Sequence, residues 1–238
     1  MGTELIVALD FSTADEALDL VDELKETVGW YKVGLELYLN SGGCILSELK
    51  MRRRRVFLDL KFHDIPNTVH QAAAWAAGTG VDLITVHALG GQEMMRRAAE
   101  GAREGAARVG VKVPQVVGVT VLTSMDKAAL AAVGIPDAPQ MAVPRLAKLA
   151  QAAGLDGVVC SGQELALLKD MTAPFVTVCP GIRPKGASTD DQSRILTPAQ
   201  AAAEGATYIV VGRPIRLAED PAQAARAIVK ELREGEQK

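Results

Sequence analysis

Asp59 and Lys61 place a carboxylate and an ammonium two positions apart, directly after the apolar run at residues 56–58. Successive side chains of a β-strand alternate between its two faces, so this spacing predicts that Asp59 and Lys61 point the same way. The attraction of such a pair, about 4 kcal/mol at ~4 Å and an effective dielectric constant of ~20, only partly offsets the cost of desolvation. A structural ion pair is one interpretation. We favour the other, a pair of residues that carries out chemistry.

Lys32 and Asp64 extend this pair to a set of four charges that alternate in sign. Lys32 belongs to the strand predicted before Asp59, and Asp64 follows the strand that carries Lys61. Alternation spreads the cost of burying the charges and holds each ammonium in one place. A fixed ammonium can stabilise a carbanion and then protonate it, while a fixed carboxylate repels an incoming one. The set therefore predicts decarboxylation of an anionic substrate without a cofactor, with a lysine as the acid.

The elements that must position these residues are short apolar, β-branched runs that alternate with longer Ala- and Leu-rich segments. Strands are predicted over residues 5–11, 31–37, 56–62, 83–89, 115–122, 157–160, 175–179 and 208–211. Helices are predicted over residues 13–28, 67–78, 92–108, 143–153, 198–204 and 221–234. Near-continuous apolar strands between helices are typical of parallel sheets buried on both faces.

The closed and open versions of such a fold differ in the loop after the first strand. A doubly wound open sheet would be expected to carry GxGxxG there, whereas residues 10–13 read DFST. We therefore predict an α/β fold, a (β/α)8 TIM barrel, with residues 1–238 as a single domain.

Polar residues recur where the predicted strands end, and in TIM barrels the active site lies at that face. Barrels frequently bind phosphate with the loops after strands seven and eight, which here carry Arg183 and the pair Gly212-Arg213. Glycine permits close backbone approach and a guanidinium matches phosphate oxygens. The polar segment at residues 183–194 is interpreted as a lid over an anionic ligand; an ordinary surface loop is the alternative.

Several sequence motifs in this chain occur together in one known family. Residues 59–68 read DLKFHDIPNT, residues 121–125 VLTSM, residues 179–184 CPGIRP, residues 190–192 DDQ and residues 211–213 VGR. Over nearly its full length the chain resembles the orotidine 5′-phosphate decarboxylase family. The resemblance implies cofactor-independent conversion of orotidine 5′-monophosphate to UMP and CO2, the last step of de novo pyrimidine synthesis.

The same resemblance implies roles for the four charged residues. Lys61 becomes the proton donor to C6 of the pyrimidine. Lys32 and Asp59 complete its charge network, and Asp64 is contributed by the neighbouring subunit of a homodimer whose active sites are shared.

Substrate-binding residues are also implied by the resemblance. The ribose hydroxyls are held by Asp10 and Lys32, with the neighbour's Thr68 nearby. The base is read by Thr123 or Ser124 and flanked by Pro180. The phosphate is bound by Arg183, Gln192, Gly212 and Arg213. Asp59 and Ile65 complete the expected substrate-binding set, which contains no metal ligand.

Two alternative functions compete with this one. The 3-keto-gulonate-6-phosphate decarboxylases and hexulose-phosphate synthases resemble the chain at the third strand, but they use a divalent metal and place an acidic residue on the second strand. Lys32 argues against them because an ammonium there would repel a metal ion. The other alternative, an inactive nucleotide-sensing barrel, has no support because Lys61 is present. The spacing of His63, His70 and His87 fits no common metal motif.

Composition limits the partners and the compartment. A net charge of -3 gives no reason to expect nucleic acid or an anionic membrane as a partner. The basic run at residues 52–55 is interpreted as a solvated helix end, with a binding patch as the alternative. Three widely spaced cysteines without a CxxC motif indicate reduced thiols. We found neither a signal peptide nor an apolar run of about 18 residues, and therefore expect a cytoplasmic enzyme.

Overall fold

The computed structural model describes residues 2–172, 174–184 and 196–237. Eight parallel strands close into one barrel in sequence order, with β8 paired back to β1. The strands are β1 Glu4–Ala8, β2 Trp30–Gly34, β3 Arg55–Phe62, β4 Leu83–His87, β5 Gln115–Val119, β6 Gly157–Val159, β7 Val176–Cys179 and β8 Tyr208–Val211. The predicted TIM barrel is confirmed.

Helices surround the barrel and connect successive strands. They are α1 Ala14–Leu24, α2 Leu35–Ser41, α3 Cys44–Met51, α4 Pro66–Gly78, α5 Gly91–Val109, α6 Lys127–Ala132, α7 Pro139–Ala152, α8 Pro198–Ala203, α9 Arg213–Arg216 and α10 Pro221–Glu236. Short 3-10 segments span Lys25–Thr27, Ala88–Gly90 and Gly162–Leu168. Among the described residues, none of these helices has the length and apolar character needed to cross a membrane.

The apolar residues divide into two layers because each strand is buried on both faces. In β1, Leu5 and Val7 belong to the layer between the strands and the helices, whereas Ile6 and Ala8 belong to the barrel interior. Phe57 and Val210 pack in the same interior cluster. Alternate positions thus face different apolar environments, which explains the near-continuous apolar runs of the sequence.

The second strand is shorter than predicted. It ends at Gly34, and helix α2 occupies the last three positions of the strand predicted over residues 31–37. Leu37 is fully buried on α2, so its apolar character reflects helix packing. A short apolar run does not distinguish a strand from one buried face of a helix, which is why the prediction was wrong here.

Other element boundaries also differ from the prediction. Strands β1, β4 and β5 end two or three residues earlier than predicted. Their last predicted residues lie in the following loops or, after β4, in the 3-10 segment Ala88–Gly90. A 3-10 segment, Gly162–Leu168, follows β6. Helix α7 begins at Pro139, four residues before the predicted start, and it contains Pro144 in its interior.

The basic run at residues 52–55 links α3 to β3 and includes Arg55, the first residue of β3. Three of its arginines pair with carboxylates. Arg52 Nε lies 3.0 Å from Asp22 Oδ1, and Arg55 lies 2.7 Å from Glu4 Oε1. Arg54 pairs with Glu26 at 3.3 Å. These ion pairs fit the interpretation of the run as part of the solvated surface.

Candidate active site

Strand β3 is irregular at the point where it carries the chemistry. Leu58 pairs with Ile84 and Phe62 pairs with Val86, so β3 contains two more residues than β4 between these positions. Within this bulge, Lys61 has φ of 51°, a left-handed conformation that is costly for a residue other than glycine. Bulges of this kind redirect side chains next to active sites. Strained backbone at a site of concentrated charge is the kind of outlier that points to function.

Three of the four predicted charged residues form one network at the carboxyl ends of the strands. Lys61 Nζ lies 2.8 Å from Asp59 Oδ2, and Lys32 Nζ lies 3.8 Å from the same oxygen. Lys32 Nζ also donates a hydrogen bond to Asp10 Oδ1 at 3.0 Å. Asp59 is only 8% exposed, and a buried carboxylate needs compensating charge. The two ammonium groups supply it. The predicted same-side arrangement of Asp59 and Lys61 is present, although a bulge produces it and not a regular pleat.

Thr85 completes this network and was missing from the predicted site. It is fully buried on β4, and its hydroxyl donates to Asp59 Oδ1 at 3.0 Å. The same hydroxyl oxygen accepts from the backbone N–H of Lys61 at 2.9 Å. The available signal was a hydroxyl residue between Ile84 and Val86 in a strand next to the charged one.

Two glycines provide space for the network. A Cβ atom on Gly34 would lie 2.9 Å from Lys32 Nζ. A Cβ atom on Gly212 would lie 3.3 Å from Asp10 Oδ2 and 3.4 Å from Ala8 Cβ. Gly212 was predicted as a phosphate-binding residue, whereas the sequence offered no signal for Gly34, which lies inside the strand predicted over residues 31–37.

A cavity of about 160 Å³ opens beside the charges. Lys32, Asp59 and Lys61 form its charged side, and Thr123 and Pro180 also line it. Its remaining lining residues are apolar: Phe57, Val119, Val121, Leu122, Val159, Val178 and Val210. Ser124 is exposed and is not part of this lining. The arrangement suits a planar organic ring that is charged or polar along one edge.

Three of the four predicted phosphate residues follow β7 and β8 in the described part of the chain. Arg183 is buried, and its backbone N–H donates to Leu196 O at 2.9 Å next to the bridge between Ile182 and Leu196. Gly212 follows β8 directly, and Arg213 begins α9. Gln192, together with residues 185–194 of the predicted lid, lies outside the described residues.

Asp64, Ile65 and Thr68 are exposed at the start of α4. Asp64 Oδ1 accepts from the backbone N–H of Ile65 at 2.6 Å. Among the ion pairs of the described residues Asp64 has none, so a single chain does not bring it into the network of Asp59 and Lys61. These three residues border the open surface instead of the cavity.

The rings of His63 and His87 stack beside the site, with centroids 5.2 Å apart and planes inclined by 20°. Burial, followed by the charges of His63 and Lys61, lowers the pKa of His87 from 6.5 to about 4. His87 is therefore neutral at physiological pH, and its Nδ1 accepts from the backbone N–H of Leu89 at 3.4 Å. Because His87 is neutral, it does not add a third positive charge to those of Lys32 and Lys61.

The described part of the chain contains no group of three or more His, Cys, Asp or Glu side chains arranged to hold a metal ion. The carboxylates nearest the cavity, Asp10 and Asp59, both face the ammonium of Lys32. The positive charge of Lys32 beside both carboxylates disfavours a metal ion at this place.

Comparison with known proteins gives a consistent result. A model described as "Orotidine 5′-phosphate decarboxylase / HUMPS family" matches residues 3–228. Orotidine 5′-phosphate decarboxylase of Heliobacterium modesticaldum (strain ATCC 51547 / Ice1) is 50% identical over 233 residues, covering 97% of this chain and 96% of the relative. The Nostoc sp. (strain PCC 7120 / SAG 25.82 / UTEX 2576) protein of the same name is 50% identical over 232 residues, covering 96% and 97%.

Solved structures agree with the sequence relatives. The crystal structure of orotidine 5′-phosphate decarboxylase from Lactobacillus acidophilus superposes with a TM-score of 0.85 at 38% identity, covering 97% of this chain and 99% of that one. The Pyrococcus horikoshii OT3 structure of the same name gives 0.76 at 26% identity, covering 96% and 99%. With the barrel, the charge network and these matches together, this chain belongs to the orotidine 5′-phosphate decarboxylase / HUMPS family.

Proposed function

We propose that this chain converts orotidine 5′-monophosphate to UMP and CO2 without a metal or an organic cofactor, as the last step of de novo pyrimidine synthesis. The observation that carries the proposal is the Lys61 ammonium, held 2.8 Å from Asp59 Oδ2 at the charged side of an otherwise apolar cavity. The relatives named above support the choice of substrate.

The proposed chemistry places the carboxylate of the substrate toward Asp59 and C6 of the pyrimidine toward Lys61. The bond between C6 and the carboxylate breaks, CO2 leaves, and the electron pair stays on C6. Lys61 stabilises that developing charge and then transfers its proton to C6, which gives UMP. Asp59 repels the substrate carboxylate and keeps Lys61 in place, while Lys32 compensates the charge of Asp59.

The rest of the substrate is assigned by the positions of the surrounding groups. Asp10 and Lys32, 3.0 Å apart, are proposed to hold the ribose hydroxyls. Thr123 and Pro180 line the cavity and are proposed to contact the base; Ser124 remains the alternative hydroxyl for reading it. The proposed phosphate residues are Arg183, Gln192, Gly212 and Arg213.

We further propose a homodimer whose two active sites are shared. Ile65 is 67% exposed next to Asp64 and lies with Leu89 around one open depression. The exposed Trp75 packs edge-on against Tyr38, with ring centroids 5.8 Å apart, which joins α4 to the neighbouring α2. Exposed apolar side chains that lie together, as Ile65 and Leu89 do, support an interaction surface. The proposal requires a two-fold axis through this surface that brings Asp64, Ile65 and Thr68 to the partner's cavity.

Single-domain architecture over residues 1–238 and a cytoplasmic location complete the proposal. Cys44, Cys160 and Cys179 form no disulfides, which suits a reducing compartment.

A steady-state assay with orotidine 5′-monophosphate tests the activity directly. Loss of orotate-type absorbance should match the CO2 released, and exhaustive EDTA treatment or added Mg²⁺ should leave the rate unchanged. The sugar-phosphate branch of the family provides the contrast. Strict metal dependence, or turnover of 3-keto-gulonate 6-phosphate in place of the nucleotide, would move the chain to that branch.

A further inference from the structure

The hydroxyl of Thr85 connects the two residues on which the proposed chemistry depends. It accepts a hydrogen bond from the backbone N–H of Lys61 at 2.9 Å and donates one to Asp59 Oδ1 at 3.0 Å. A threonine hydroxyl has a single proton, so the bond to Asp59 uses its only donor. Its two polar partners are therefore the carboxylate and the lysine backbone.

These hydrogen bonds form a closed circuit through Lys61. Its backbone N–H binds Thr85, Thr85 binds Oδ1 of Asp59, and Oδ2 of Asp59 binds the Lys61 ammonium at 2.8 Å. The bond to Oδ1 fixes the rotation of the carboxylate, so that Oδ2 faces the ammonium groups. A free carboxylate could turn about its last side-chain bond, which has a broad torsional preference.

The circuit also holds Lys61 in its strained backbone conformation. Lys61 lies in the β3 bulge with φ of 51°, where regular pairing to β4 is interrupted. In a regular parallel ladder its N–H would bind a carbonyl of the neighbouring strand. Here a side-chain hydroxyl of β4 takes that place, so the conformation that directs the ammonium depends on one buried oxygen.

We infer that Thr85 is a positioning residue for the proposed decarboxylation, acting through Asp59 and Lys61 without contacting the substrate. The inference rests on the proposed function for its reaction but adds a residue outside the cavity lining. Loss of the hydroxyl would leave a carboxylate oxygen and an N–H unpaired in a buried position and would release both groups from their fixed geometry.

The test compares Thr85→Val, which keeps the side-chain shape without the hydroxyl, with Thr85→Ser, which keeps the hydroxyl. A misplaced reacting group typically costs about 100-fold, so we expect kcat of Thr85→Val to fall by about that factor while KM changes far less. Thr85→Ser should recover most of the loss. If Thr85→Val does not fold, Thr85→Cys provides the same comparison with a weak donor of similar size.

Thr177→Val is the matched control. Thr177 is also a buried strand threonine whose hydroxyl accepts from a backbone N–H, that of Thr207 at 3.1 Å, but it lies at the amino end of the barrel. Its substitution should lower the unfolding temperature to a similar extent and leave kcat unchanged. All variants are assayed well below their unfolding temperatures.

Several results would overturn the inference. These are a Thr85→Val kcat within about threefold of wild type, a loss confined to KM, a serine variant as impaired as the valine variant, or an equal loss of kcat in Thr177→Val. In each case the wild-type rate with orotidine 5′-monophosphate tells whether the proposed function itself stands. An inactive wild-type enzyme would refute the function, whereas an active one with these results would refute only the role of Thr85.

Discussion

The ammonium of Lys32 lies 2.9 Å from the position that a Cβ atom would take on Gly34. Gly34 ends β2 and precedes α2 with φ of -94° and ψ of -175°, an extended conformation open to any residue. The absence of a side chain is therefore needed for space and not for backbone freedom. Lys32 uses that space to reach Asp10 at 3.0 Å and Asp59 at 3.8 Å.

We predict that Gly34→Ala folds but loses activity. The methyl group meets the flexible end of Lys32, so the ammonium moves away from Asp10 and Asp59 while the backbone remains. A loss of kcat/KM of about tenfold or more is expected, with a change in stability of about 1 kcal/mol or less. Gly43→Ala is the control, since Gly43 also precedes a helix and nothing lies within 4 Å of an added Cβ. Equal activity of the two variants would contradict the role of Gly34.

Arg213→Ala should weaken binding of the phosphate. A partly buried guanidinium that pairs bidentately with phosphate contributes about 2–5 kcal/mol, part of which can appear in turnover because remote binding energy assists the chemistry. Kinetics with orotidine 5′-monophosphate and with orotidine, which lacks the phosphate, separate the two contributions. The kinetic constants for orotidine should change little in the variant. An equal loss with both substrates would make Arg213 a structural residue.

Mixing of subunits tests whether Asp64 acts across the proposed interface. Lys61→Ala homodimers should be inactive and Asp64→Ala homodimers strongly impaired. In a mixed dimer one site carries both defects and the other carries neither. After random reassortment about half of the dimers are mixed, so about a quarter of all sites should be wild type. If subunits exchange and no activity returns, Asp64 acts within its own chain.

The lowered pKa of His87 predicts a specific loss of stability in acid. Its folded pKa is about 4, against 6.5 for an exposed histidine, so between these values the unfolded chain binds more protons. Above pH ~6.5 His87 is neutral in both states and does not lower the free energy of unfolding. As the pH falls from ~6.5 toward ~4, protonation of the unfolded chain lowers that free energy by about 1–2 kcal/mol after allowance for partial exposure. Urea unfolding of wild type and His87→Gln at both ends of this range measures it. Parallel pH curves would show that His87 does not contribute.

The sequence predicted the barrel because strands buried on both faces require continuous apolar runs, and residues such as Leu5 and Ile6 belong to different apolar layers. Alternation also predicted that Asp59 and Lys61 lie on one side, and they do, although a bulge produces this arrangement. It did not predict the bulge, since a left-handed lysine has no sequence signature. Thr85 was missed because its importance arises from the register between β3 and β4, which pairs distant segments.

Helix α2 was missed for a related reason. Leu37 is buried in either type of element, and only the tertiary packing decides between them. The role of Asp64 is likewise not fixed by one chain, because the proposed role depends on a second subunit. Within one chain its carboxylate accepts a hydrogen bond from the backbone N–H of Ile65.

The most direct measurement compares turnover of orotidine 5′-monophosphate by wild type and Lys61→Ala, with UMP affinity measured in parallel. The ammonium acts where charge develops in the transition state, so its loss should abolish turnover while UMP still binds. We predict matched formation of UMP and CO2 by wild type and none above background by the variant. A variant that retained more than roughly a tenth of wild-type turnover, a barrier change below about 1.4 kcal/mol, would contradict the assignment of Lys61 as the proton donor.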